Sequence, residues 1–169
     1  MLAKKGAAVG SLLERSITYN EYLGIPRQMA LASWQSRWSE GDKGRWLHSI
    51  VPKVSGNPWF KGSDLSRDFI RVMSRLMANH YSCNAHHFRI GLSESSLCEC
   101  GQGYQDIDHI VWFCSKINSA FRDARANLSD FLRDKGRPPN MPIRDLLATK
   151  DLPTLLELYR FLKATEVKV

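Results

Sequence analysis

The chain has 169 residues, 43% hydrophobic and 24% charged, and carries a formal net charge of +7. That is ordinary for a soluble globular protein and long enough for one domain with its own core. No apolar run approaches the roughly eighteen residues that span a bilayer, and Met1-Leu2-Ala3-Lys4-Lys5 lacks the apolar segment of a signal peptide, so a cytoplasmic or nuclear setting without membrane contact is expected.

The charge is unevenly spread. Residues 1–90 hold thirteen Lys/Arg against six Asp/Glu, and residues 91–169 hold eleven against eleven. A one-sided basic excess suits a phosphate-binding surface, since Lys and Arg gain affinity by releasing condensed counterions. It equally suits a surface kept soluble by its charge.

In chain order, residues 1–10 read as the end of a helix and 11–22 as a second one, with Leu12, Leu13 and Ile17 at helical spacing. Gly24-Ile25-Pro26 reads as a break, with Pro26 opening a new helix whose apolar stripe of Met29, Ala30, Trp34 and Trp38 implies core packing for both tryptophans. Residues 39–45 read as a loop, and Trp46 to Val54 as extended chain closed by the turn Ser55-Gly56-Asn57-Pro58. Trp46, beside Lys43 and Arg45, is a candidate stacking platform for a nucleic-acid strand.

Residues 64–79 form the clearest helix. Ser63 reads as its N-cap, Asp64 and Asp68 suit its positive end, and Leu65, Phe69, Val72, Met73 and Leu76 form one face. Arg67, Arg71 and Arg75 stand in a separate column at i, i+4 and i+8. That column is either a solvated face, partly neutralised by the two aspartates, or a row of phosphate contacts, and the N-terminal charge excess favours the second. His80, Cys83, His86 and His87 follow. They lack an orienting carboxylate and oxyanion donors, so packing and polar roles are expected ahead of a histidine-dependent nuclease, and Cys83 is expected to bind no metal.

Cys98-Glu99-Cys100-Gly101, then His109 and Cys114, place three of the four cysteines within seventeen residues. Zinc takes thiolate and imidazole at tetrahedral corners, and cysteine and histidine rarely cluster at such spacing by chance. One structural zinc on Cys98, Cys100, His109 and Cys114 is expected, with Gly101 free to adopt the positive φ of a tight turn and arginines such as Arg122 near the anionic site. Asp106 can cap a short helix that turns Ile107, Ile110 and Val111 inward. His109 and Cys114 are about 140° apart on an ideal α-helix, which places Cys114 at that helix's end. Ser115 can cap a helix bearing Phe121, Leu128, Phe131 and Leu132. After a loop over 133–142, residues 143–164 read as two helices broken near Pro153. The fold expected is mainly α, a small irregular helical domain stapled by a CCHC structural zinc site.

Taken together, Trp34-Gln35-x-x-Trp38, Gly44-Arg45, Pro52, Trp59, Arg75-Leu76-x-x-x-His80, Arg89-Ile90, Cys98-x-Cys100-Gly101, Asp108-His109-Ile110 and Cys114 resemble the C-terminal region of non-LTR retrotransposon polyproteins of the jockey and I-like groups. In these a CCHC motif follows the reverse transcriptase and, in some lineages, an RNase H domain. The resemblance covers residues 30–125, and Leu2-Ala3-Lys4-Lys5-Gly6-Ala7 is similar to the last helix of a retroelement RNase H. It implies an RNase H remnant and connector in 1–24, a Trp-rich connector in 25–62, a CCHC module in 63–132 and C-terminal helices in 133–169. No polymerase or RNase H acid carries over, so the implied role is binding RNA or target DNA for the reverse transcriptase, without catalysis. Two alternatives stand beside it: a module docking on the polymerase or RNase H domain of the parent polyprotein, and a decayed fragment. Ser115 departs from the proline often found after the last cysteine, while Arg122 fits the arginine expected downstream.

Overall fold

The structure is a computed structural model that describes residues 18–116 and 121–165. The expected helices over 1–10 and most of 11–22, and with them the expected RNase H remnant, lie outside the described residues. The described chain is helical, its only β pairing the isolated bridge between Leu97 and Tyr104. The helices are α1 (Tyr19–Glu40), α2 (Arg45–Ile50), α3 (Arg67–Met77), α4 (Asn84–Arg89), α5 (His109–Phe113), α6 (Arg122–Asp134), α7 (Ile143–Ala148) and α8 (Leu152–Ala164).

Several local expectations need correction, and one of them is the cap of α6, which starts at Arg122 with Phe121 as its N-cap in place of Ser115. No break occurs at Gly24–Pro26: α1 runs through Pro26, because proline there removes only the hydrogen bond its nitrogen would give to the carbonyl of Tyr22, on an exposed helix whose following residues favour helix. Residues 45–50 are helical rather than extended, since Trp46, Leu47, Ile50 and Val51 repeat at i, i+4, which buries one face only in a helix. The N-cap of α3 is Ser66, whose Oγ accepts from the Phe69 amide at 3.2 Å, and not Ser63. Asp64 therefore lies ahead of the first turn, and only Asp68 serves it.

One core runs from Ile50 to Leu162. Phe69, Val72, Met73, Leu76 and Met77 of α3 meet Ile143, Leu146 and Leu147 of α7 and Leu155, Leu158, Phe161 and Leu162 of α8, while Leu128 and Leu132 seat α6 there. The chief helix pairs are α6 with α8, α2 with α7 and α3 with α8. α1 is joined to the body through its C-terminal half: Trp38 Nε1 donates to Val51 O at 2.9 Å, and Gln35 bonds both Pro52 O and the Val54 amide. Trp34 is 46% exposed, contrary to the core role its register implied, and lines an apolar groove of roughly 370 Å³ with Trp38 and Trp59.

Asp68 ties α3 to α8. It accepts from Tyr159 Oη at 2.6 Å, pairs with Lys163 at 2.9 Å and also binds Arg71. The Tyr159 hydroxyl, followed by Lys163 and Arg71, holds its carboxyl well below the usual carboxylate range. A depressed carboxylate pKa contributes stability that is full above the unfolded value and lost as pH falls through and below it. Asp68→Asn is therefore expected to lower the melting temperature at neutral pH while flattening its fall below about pH 4, as read by circular dichroism. Leu132→Ala, at the fully buried α6–α8 contact, should cost about 2–5 kcal/mol in urea unfolding.

Candidate metal centre

The first two ligands sit on a knuckle. Cys98 N–H donates to Gly103 O at 2.8 Å and Gly101 N–H to Cys98 O at 3.0 Å, so the chain doubles back between Leu97 and Tyr104. Gly101 has φ +76°, as a turn at this point demands, and a side chain there would be strained in the left-handed region. Lys116 clamps the loop from outside through a 2.7 Å ion pair with Glu99.

The other two ligands come from α5, which is not an α-helix. Asp106 Oδ1 accepts from the His109 amide at 2.8 Å and starts the turn as expected. The winding then widens to i→i+5, and the Cys114 amide closes it on His109 O at 2.7 Å. An α-helical turn would leave residues five apart on different faces, whereas an i→i+5 turn sets them one above the other. His109 and Cys114 thus face the knuckle together while Ile110, Val111 and Trp112 stay buried.

The four ligand atoms lie within 4.8 Å of one another, and these are the residues among those described that could hold a metal ion. Cys98 Sγ and Cys114 Sγ are 3.7 Å apart, and Cys100 Sγ and His109 Nε2 3.2 Å. A disulfide would need about 2.05 Å, and all four cysteines are free. A tetrahedral ion with bonds of about 2.3 Å to sulfur and 2.0 Å to nitrogen spaces sulfurs by about 3.8 Å and sulfur from nitrogen by about 3.5 Å. The donor set fits a thiophilic divalent ion.

The two knuckle cysteines are tuned in opposite directions. The Gln102 amide, followed by the neighbouring thiols and His109, draws Cys100 down to about 6, while burial raises Cys98. Gln105, which the sequence did not single out, points its Nε2 at Cys98 Sγ at 3.7 Å, and its Oε1 accepts from the Asn84 amide at 2.9 Å. Asn84 Nδ2 in turn donates to Leu97 O at 2.7 Å. The first turn of α4 therefore docks the knuckle through Asn84 and the Ala85 amide. Cys83 stands outside the cluster, its buried Sγ accepting from the His86 amide at 3.3 Å as the cap of α4. His86 is buried, its ring 4.4 Å from that of His80 and its Nδ1 2.7 Å from Arg89.

Arg125 also approaches the cluster. Its Nε donates to Val111 O on α5, burial lowers its pKa while Cys114 opposes that shift, and its NH2 is buried without a hydrogen-bond partner among the described residues. Arginines among the polar residues of an amphipathic helix read as solvated surface, so nothing in the sequence marked it.

The basic candidates of the N-terminal half are dispersed. Trp46 is half-buried against the core with Nε1 donating to Leu76 O at 3.1 Å. Arg45 binds the carbonyls of Trp38 and Ser39 and lies over the Trp38 ring; Lys43 is exposed. Arg67, Arg71 and Arg75 are exposed on α3, with Arg71 held by Asp68.

Comparison with known proteins follows the same line. A Retrovirus-related Pol polyprotein from type-1 retrotransposable element R1 of Bradysia coprophila is 28% identical over 109 residues, covering 58% of this chain and 10% of the relative. A Putative 115 kDa protein in type-1 retrotransposable element R1DM of Drosophila melanogaster is 34% identical over 85 residues, covering 50% and 8%. About half of this chain is homologous to a segment of R1 non-LTR retrotransposon polyproteins. A third relative, from element R1 2 of Nasonia vitripennis, is 31% identical over 86 residues, 51% of this chain and 20% of its own length. The chain spans at most a fifth of these curated relatives. No protein-family profile matches it, and no solved structure does. No helix among the described residues is long and apolar enough to cross a membrane.

Cys100 combines a low pKa with partial exposure, whereas Cys83, Cys98 and Cys114 are buried. Thiolate character and access govern alkylation. With metal chelated, iodoacetamide at pH 7 should therefore label Cys100 first and Cys83 last, as read by peptide mass mapping.

Proposed function

We propose that this chain is a nucleic-acid-binding zinc module of a retrotransposon reverse transcriptase polyprotein, helping the enzyme engage RNA or target DNA without performing chemistry itself. The observation that carries the reading is the convergence of Cys98, Cys100, His109 and Cys114 in a chain whose relatives are R1 polyproteins. Three thiolates and an imidazole are the donors that favour zinc among divalent ions. A closed set of four protein ligands leaves no position for a reactive water, so the metal's part is structural. It would hold the knuckle of Cys98 and Cys100 to α5, and its binding free energy would add to that of folding. The net charge of +7 supplies the general attraction to phosphate.

In this reading residues 63–132 are the metal-bearing module, 25–62 is the tryptophan-rich connector and 133–169 supplies the supporting helices. The exposed cations Lys43, Arg67, Arg71 and Arg75 add to the attraction, Arg71 while paired with Asp68. Arg45 and Trp46, also candidate contacts, make structural bonds to the carbonyls of Trp38, Ser39 and Leu76 as well.

The test is elemental analysis of the purified chain. One zinc per chain is expected, lost together with thermal stability in Cys98→Ser and retained in Cys83→Ser. Affinity should fall as pH drops from 7 toward 5, because protons compete for Cys100 near 6 and for the raised Cys98 thiol above it. A wild-type chain without zinc and a mutant melt unchanged would sink the reading. Fluorescence anisotropy with labelled oligonucleotides tests the other half, and log K should fall linearly with log salt.

A further inference from the structure

α6 carries three arginines on one stripe. At 100° per residue, Arg122, Arg125, Ser129 and Arg133 fall at about 0°, −60°, −20° and 20°, while Leu128 and Leu132, fully buried, fall at about −120° and −80°. Arg125 therefore sits at the border between the core face and the stripe. These residues, with Ser115 just after the last metal ligand, line an open groove of roughly 520 Å³. Asp130 lines it too and pairs with Arg133 at the rim, so the lining holds three guanidinium groups against one carboxylate.

The floor of the groove is unusual. The Nε of Arg125 is engaged by Val111 O, but its NH2 is buried and meets no acceptor among the described residues. A buried donor without a partner points to a missing acceptor, and guanidinium groups are matched geometrically by phosphate oxygens. Two hydroxyls, Ser115 and Ser129, stand beside the arginines as further donors to an anion.

We propose that the groove of Ser115, Arg122, Arg125, Ser129 and Arg133 is a phosphodiester-binding site that takes the backbone of a nucleic-acid strand beside the metal centre. It rests on the reading of the chain as a nucleic-acid-binding module and moves the principal contact from the basic N-terminal half to a segment of zero net charge. Total charge conceals it: the acids that balance residues 91–169 lie mostly elsewhere, and only Asp130 enters the groove. In the α3 column Arg71 is engaged by Asp68, and Arg75 lines a separate groove of roughly 430 Å³ that adds no second arginine. Phosphate arriving in the groove would share Arg133 with Asp130. Because Arg125 links the floor to the carbonyl of Val111 in α5, the strand would lie against the turn that presents His109 and Cys114.

The test is fluorescence anisotropy with a fluorescein-labelled single-stranded RNA and the same sequence as DNA, at several salt concentrations around 0.1 M. Arg122→Ala/Arg133→Ala changes exposed residues and should leave zinc content and melting temperature unchanged. It should weaken binding roughly five- to tenfold and reduce the slope of log K against log salt by about one to two. Arg125→Lys, which keeps the charge but loses the planar fork, should also weaken binding while circular dichroism shows the helical fold retained. Arg67→Ala/Arg71→Ala should have the smaller effect. Wild-type binding with Arg122→Ala/Arg133→Ala within twofold of it would overturn the groove and leave the nucleic-acid reading standing. A zinc-loaded wild-type chain that binds neither probe would overturn both.

Discussion

One hydrogen bond organises this molecule: the Cys114 amide reaching back five residues to the carbonyl of His109. Widening a single turn from i→i+4 to i→i+5 is rare and gives poorer backbone packing. Here it aligns two metal ligands on one side while Ile110, Val111 and Trp112 stay buried on the other. Five residues thus serve a donor set and an apolar core together, which a regular α-helix with the same ends could not do. Asp106 fixes where the turn begins, and the Cys114 backbone, extended at ψ 115°, fixes where it stops.

The support around that turn comes from both directions along the chain. From upstream, Tyr81 Oη accepts the Ile107 amide at 3.0 Å, while Gln105 and Asn84 bind α4 to the knuckle. From downstream, Asp108 accepts the Ile143 amide at 2.7 Å, and Trp112 Nε1 donates to Met141 O at 3.1 Å. Burial raises the Asp108 carboxyl, and the Ile143 amide opposes that shift. Such bonds are long-range in sequence and fully determined only once α7 and α8 have packed. The histidine-rich stretch likewise finds its explanation in architecture: Cys83 caps α4, and His86 packs beneath His80.

What could be read from residues alone follows from what each type of evidence depends on. Metal-ligand chemistry depends on residue type and approximate spacing, so Cys98, Cys100, His109 and Cys114 were legible before any register was known. The apolar face of α3 was legible for the same reason, in Phe69, Val72, Met73 and Leu76 at helical steps, although Leu65 lies ahead of the helix. The winding of α5 was not, because it departs from the 3.6-residue period on which such readings rest, and an ideal helix sets its two ligands apart. Ser63 and Ser66 are chemically equivalent caps, and only the Phe69 amide chooses between them. The short helix α2 was obscured by aromatic and β-branched residues that favour strands in general, although their spacing was helical. Trp34 satisfied a helical stripe whose facing surface is a groove instead of a core. Gln105 and Arg125 were invisible, since their importance lies in partners twenty-one and fourteen residues away.

The bonds that Asp108 and Trp112 send to residues 141–143 carry a thermodynamic consequence. They make the shape of the chelate a property of the C-terminal helices as well as of the ligands. Occupancy of the four ligands and docking of α7 must therefore favour each other, and by reciprocity to the same extent. A metal held there would act as a reporter of distant packing: a defect at Ile143 or Leu146 would lower its affinity without touching a ligand, and chelation would loosen helices that never contact it.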